Sequence, residues 1–214
     1  MKNSMRLNNK GLTLIELLVG LVICAMVVAG IYRLFIAQSR AYTVQDQVVE
    51  VQQNIRSAME VMLRDLRMTG FDDDRTPMVA VAQPSIVPGD NSITVRYELN
   101  NTPYEVRYWF AGGAVLNRQE TRNGVSTTET ILENVEALNF TYGVDENEDG
   151  AMDDRNGNGQ LDDWVSSGTI GSLKVVSVRV GLTARPTQTN PDVQSVTPRT
   201  LLSAVTFRNL SLMR

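Results

Sequence analysis

Between Leu12 and Tyr32 lie 21 residues whose only charge is Glu16, and this run constrains the chain more than any other feature. As a helix rising about 1.5 Å per residue, it is long enough to span a hydrocarbon core about 30 Å thick. A carboxylate inside such a segment costs roughly 2.5 to 3.5 kcal/mol on insertion scales, so something must offset it. The flank in front, MKNSMRLNNK, carries Lys2, Arg6 and Lys10 and no acid, which holds the amino end on the cytoplasmic side. A cleaved secretory signal fits poorly, because its apolar region runs only about 7 to 15 residues and ends at a small-x-small site. Here the run is longer, holds an acid, and offers only Val27–Ala29 as a site. A lipoprotein signal fits no better, since Ile23 stands before Cys24 where a small residue belongs.

The rest of the chain, 214 residues in all and 43% hydrophobic, leaves room for one ordinary globular domain beyond this segment. A net charge of −4 argues against nucleic acid as a partner. The sequence contains no histidine, which removes the commonest general base, the Ser-His and Cys-His nucleophile pairs and the His-containing zinc sites. Cys24 is the single cysteine, so no intrachain disulfide can form, and it reads as a small apolar filler. No Gly-rich phosphate loop or serine-nucleophile motif is present, and the expectation is a protein that is not an enzyme.

Gly11, Leu12, Thr13, Leu14, Ile15 and Glu16, behind a short basic leader and ahead of a long apolar run, resemble the prepilin signature of type IV pilins and their secretion-system relatives. The resemblance implies that a prepilin peptidase in the inner membrane cuts between Gly11 and Leu12 and methylates the new amino terminus of Leu12. Phenylalanine is commonest at that position, and leucine is a tolerated departure. Glu16 lies four residues on, on the same helical face as the new amine and near the positive pole of the helix. The resemblance further implies that Glu16 meets the amine of a neighbouring subunit in a filament and so fixes its axial register. Loss of the leader leaves 20 − 3 = 17 basic against 24 acidic residues, a net charge of about −7.

Beyond Arg33, Ala41, Val44, Val48, Val51, Ile55, Ala58 and Met62 recur at spacings of 3 and 4, a heptad-like seam with polar residues on the other faces. No proline appears before Pro77, so one helix from Leu12 to about Met68 is expected. Residues 12–33 form its transmembrane or filament-core half and residues 34–70 its amphipathic half. The stretch RSAMEVMLRDLRMTGF resembles the end of the helix in PilW-type minor pilins and J-type pseudopilins. Gly70 suits a helix C-cap, and Arg64, Asp65 and Arg67 read as surface or cap charges. Major pilins carry a kinking proline where this chain has Tyr32, Arg33 and Leu34, which points to a minor subunit.

From Pro77 the pattern changes to period two. Ser92–Leu99 and Tyr104–Phe110 alternate apolar and polar residues across Asn100–Pro103, as a hairpin does. Ala114–Gln119, the end of Ile131–Gly143 after a short helix or turn, Leu173–Ala184 and Thr200–Leu210 supply further strands. The segment Arg185–Arg199 reads as a loop. The expected class is α+β, a pilin-like ladle: one long amino-terminal helix packed on an antiparallel sheet of six or seven strands. Residues 1–11 are then the leader and residues 71–214 the globular domain.

One acidic segment, residues 145–163, holds eight acids and one base, Arg155. Within it D-x-N-x-[DN]-G-x-[ML]-D occurs twice, nine residues apart. Calcium takes six to eight oxygens from alternating side chains, a carbonyl at the seventh position, and a glycine at the sixth for the turn. The candidate ligands are Asp145, Asn147, Asp149, Ala151 and Asp153, then Asp154, Asn156, Asn158, Gln160 and Asp162. Neither unit has the twelfth-position Glu of a complete EF-hand, whose place falls on Asn156 and Val165. The units could be two shortened loops, or one site borrowing a ligand from the other. Calcium is the expected ion, the alternatives being a solvated acidic loop without metal or an acid patch for a basic partner. The first unit, richer in carboxylates, should bind it more tightly.

These features lead to a minor pilin of the PilW type, processed by prepilin peptidase and joining other minor and major pilins at a pilus tip or priming complex. Its expected location is the inner membrane, single-pass, and then a pilus or periplasmic pseudopilus. A J-type minor pseudopilin of a type II secretion system and a membrane-anchored calcium-dependent adhesive module are the alternatives.

Overall fold

The computed structural model describes Gly11 and residues 13–73, 84–186 and 197–212. Residues 1–10, Leu12, Pro77 and most of the segment after Arg185, expected as leader, cleavage position and loops, lie outside the described residues.

Helix α1 spans Leu14–Arg67. Its amino-terminal part contains an 18-residue stretch of mean hydropathy 2.7, wholly exposed, long and apolar enough to cross a membrane. Two compact units divide inside the helix, one ending at Asp46 and the other beginning at Gln47. In the second unit α1 buries Val51, Ile55, Ala58, Met59, Met62 and Leu66. The seam is therefore core from Val51 onward, while Val44 and Val48 are half-buried and Ala41 is exposed. The helix tightens at its end, with Met68 and Thr69 donating to the carbonyls of Asp65 and Leu66. Gly70 then turns the chain at φ +70° and donates to Arg96 O at 2.9 Å. The conformation favours glycine, and a Cβ at Gly70 would also meet Leu210 Cδ2 at 2.5 Å and force that side chain to shift.

The expectation of a single sheet with six or seven strands is corrected: among the described residues eight strands form two antiparallel sheets. The first is a meander of β1 (Ile86–Pro88), β2 (Ser92–Leu99), β3 (Thr102–Ala111), β4 (Val115–Arg122) and β5 (Val125–Glu133). The second is β6 (Val135–Asp145), β7 (Lys174–Ala184) and β8 (Arg199–Thr206). Asn100 and Asn101, at φ 53° and 55°, make the tight β2–β3 turn, as Asn123 and Gly124 do between β4 and β5. No short helix precedes β6, because Ile131–Glu133 ends β5 and only Asn134 separates the two strands. The last strand stops at Thr206 and gives way to α2 (Arg208–Leu212). Met62 and Leu66 of α1, Val106, Tyr108 and Leu116 of the first sheet, and Phe140, Val178 and Leu182 of the second share one core with Phe207.

Asp65 is not a surface charge. It is 4% exposed and holds α1 to the first sheet. Tyr108 Oη donates to its Oδ2 at 2.5 Å and Arg118 Nε at 2.8 Å, while Arg118 also reaches Glu120 at 2.7 Å and Glu129 at 3.1 Å. Burial, then Asp65, push the Tyr108 phenol upward. Burial works against the charge of Arg118, but its bonds to Asp65 and Glu120 outweigh that and hold its pKa up. Removing one partner of such a buried pair typically costs about 3 to 5 kcal/mol, because the other is left uncompensated. Arg64 and Arg67 do lie exposed.

Candidate functional site

Two regions carry the residues of interest, and each is built by its local sequence. At the head of α1, Thr13 and Glu16 form a reciprocal capping box. The Thr13 N–H and hydroxyl donate to Glu16 Oε2 at 2.9 and 2.7 Å, and the Glu16 N–H donates to Thr13 Oγ1 at 3.3 Å. The T-x-x-E spacing encodes this box, which gives Glu16 partners on its own chain besides the neighbouring amine that the prepilin signature implies. These hydrogen bonds offset part of the carboxylate's cost in an apolar setting. Gly11 is exposed just ahead of the box.

The second region begins where β6 ends at Asp145. Gly150 N–H, five residues on, donates to Asp145 Oδ2 at 2.8 Å. Asn147 Oδ1 takes the N–H of Asp149 at 2.9 Å, and Asp149 Oδ1 that of Ala151 at 2.8 Å. Asp153 closes the unit, accepting from Glu146 N at 2.5 Å and Asn147 Nδ2 at 2.8 Å. The second unit repeats the pattern. Asp154 accepts from Gly159 N at 2.6 Å, Asn156 from Asn158 N at 2.9 Å, and Asn158 from Gln160 N at 2.7 Å. Both units thus turn the side chains of their first, third and fifth positions inward over the loop.

The closing residue differs between them. Asp163, which the motif does not single out, accepts from Arg155 N at 2.6 Å and from Asn156 N and Nδ2 at 2.9 and 2.6 Å. Asp162 reaches only Asn158 Nδ2, at 3.3 Å. Two adjacent acids stand at this point, and nothing in the spacing says which turns inward. Arg155, the base of the segment, bridges back to Glu146 of the first unit at 2.6 Å.

Burial separates the units further. Asp145 is 2% exposed, and its Oδ1 has no hydrogen-bond partner among the described residues. A buried carboxylate oxygen without a partner costs about 1 to 3 kcal/mol or more, and a cation ligated there is one physical way to satisfy it. Among the described residues no three carboxylate or thiol side chains gather into a group that would hold a metal by themselves. The oxygens here come instead from carboxylates alternating with amides and backbone, the donor set that suits a hard cation such as calcium. Met152, in the eighth position, is seated against β6 and β7: a Cβ on Gly143 would fall 2.0 Å from Ser177 Oγ and 2.6 Å from Met152 Sδ. Its counterpart Leu161 is 63% exposed.

Against this geometry the comparisons with known proteins fall into place. A family model described as type IV pilus-assembly protein W matches residues 103–210, which is 108 of the 214 residues. The chain belongs to the PilW family. The prokaryotic N-terminal methylation motif matches residues 6–32, over the Gly11–Glu16 signature and the apolar run behind it. No curated protein matches the chain. As a PilW-family member it is a type IV minor pilin with a part in pilus assembly, and its apolar α1 supports membrane anchoring.

Proposed function

We propose that the chain is cut between Gly11 and Leu12, is N-methylated on Leu12, and enters a type IV pilus as a non-enzymatic minor subunit of the tip or priming complex. Before assembly it rests in the inner membrane as a single-pass protein with a cytoplasmic leader. In the filament its apolar helix packs among those of other minor and major pilins. The observation that carries this reading is Glu16 at the head of the exposed, membrane-length apolar stretch of α1, inside the matched methylation motif. An exposed apolar surface of that size needs a bilayer or neighbouring helices to cover it. The match to a pilus-assembly family supports the pilus over the J-type pseudopilus.

The domain carries calcium in this reading, first at Asp145, Asn147, Asp149, Ala151 and Asp153, and the buried, unpaired Asp145 Oδ1 supports the assignment. Asp154, Asn156, Asn158, Gln160 and Asp162 form the weaker unit, with Asp163 added as its closing carboxylate. Intact-mass and amino-terminal peptide analysis of the protein from its native membrane tests the processing. A chain beginning at Leu12 with one added methyl group is expected. A chain still carrying Met1–Gly11 would contradict the filament role and leave a permanently anchored calcium-dependent adhesive module.

A further inference from the structure

The double loop leaves β6 and comes back to it. Tyr142 and Val165 close it at the base by two backbone hydrogen bonds of 2.8 and 2.9 Å. The base is also one of the places where the two sheets meet. Ser167 N–H, just past the base, donates to Asp90 Oδ1 at 2.8 Å in the β1–β2 turn of the first sheet. Phe140 N–H of β6 donates to the Asp90 carbonyl at 2.8 Å. The Tyr142 phenol donates to Gly89 O at 2.7 Å and accepts from Gly89 N at 2.9 Å. Burial, partly countered by the Gly89 bond and helped by Asp90, keeps that phenol protonated well above its usual range.

Closing this excursion costs chain entropy, and its eight acids against one base repel one another when no cation is present. The buried, unpaired Asp145 Oδ1 sits three residues from Tyr142 on the same strand. We infer that an ion at the first unit fastens the two sheets together, so that ion release, loop opening and loss of the Asp90 and Gly89 contacts occur as one event. This rests on the calcium reading of that unit, and it makes calcium a regulator of how the domain holds together.

The test is amide hydrogen exchange by mass spectrometry on the full mature chain in detergent, with calcium or with a chelator, alongside calcium titration calorimetry on the same sample. At calcium a hundredfold above the dissociation constant, amides that open only after ion release should exchange about 100-fold more slowly. Phe140, Tyr142, Val165 and Ser167 should share that factor, while Gln119 and Thr128 on β4 and β5 should not change. Calcium binding with protection confined to residues 145–154 would overturn the fastening and leave the calcium reading standing. No binding and no change in exchange would overturn both. Asp149→Asn, an exposed substitution, should lower the shared factor at every one of these amides together.

Discussion

Asp145 and Asp154 hold the same place in consecutive copies of one motif, and each takes the N–H of the glycine five residues on. Their surroundings differ. Asp145 ends β6, is buried, and keeps one oxygen without a partner, whereas Asp154 is half-buried and accepts from Gly157, Asn158 and Gly159. The eighth positions differ the same way, with Met152 seated on Gly143 and Leu161 facing solvent. Motif spacing thus sets the local turn and its inward side chains. What those side chains then require is set by how far the fold has removed them from water, since a desolvated carboxylate oxygen must be satisfied by something.

The comparison predicts unequal responses to equal substitutions. Met152→Ala should destabilise the domain by about 1 to 2 kcal/mol, below the usual core range because the side chain is only half-buried. Leu161→Ala should stay within about 0.5 kcal/mol. Urea denaturation of the mature chain measures both, and equal losses would break the distinction. A smaller contrast concerns the adjacent acids at the end of the second unit. Asp163→Asn should cost about 1 kcal/mol through weakened charge-assisted bonds to Arg155 and Asn156. Asp162→Asn should cost less than about 0.5 kcal/mol. Denaturation in chelator isolates this effect, and a larger loss at Asp162 would return the closing role to it.

Parts of the fold were legible because burial leaves a period in the sequence. The spacing from Val51 to Met62 marks the face α1 buries, and the alternation of Ser92–Leu99 gives β2 its bounds. β5 left no such trace. Its first six residues, VSTTET, are all exposed at an edge, and only its end reaches the core through Ile131 and Leu132, so most of the strand is held by pairing with β4 rather than by a buried face. The division into two sheets was equally hidden, since strand partners are chosen over long sequence distances. Asp65 stands between Arg64 and Leu66 in a stretch that looks like helix surface, and its partners Tyr108 and Arg118 lie 43 and 53 residues away. The nine-residue repeat announced the loops, but not which copy the fold would bury.

Calcium titration calorimetry on the mature chain and two variants tests most directly that the first unit is the principal cation site. Asp145→Asn should weaken the tightest binding step by about tenfold or more, while Asp154→Asn should leave that step within about twofold. A tight step that survives Asp145→Asn, or that vanishes with Asp154→Asn, would contradict the assignment.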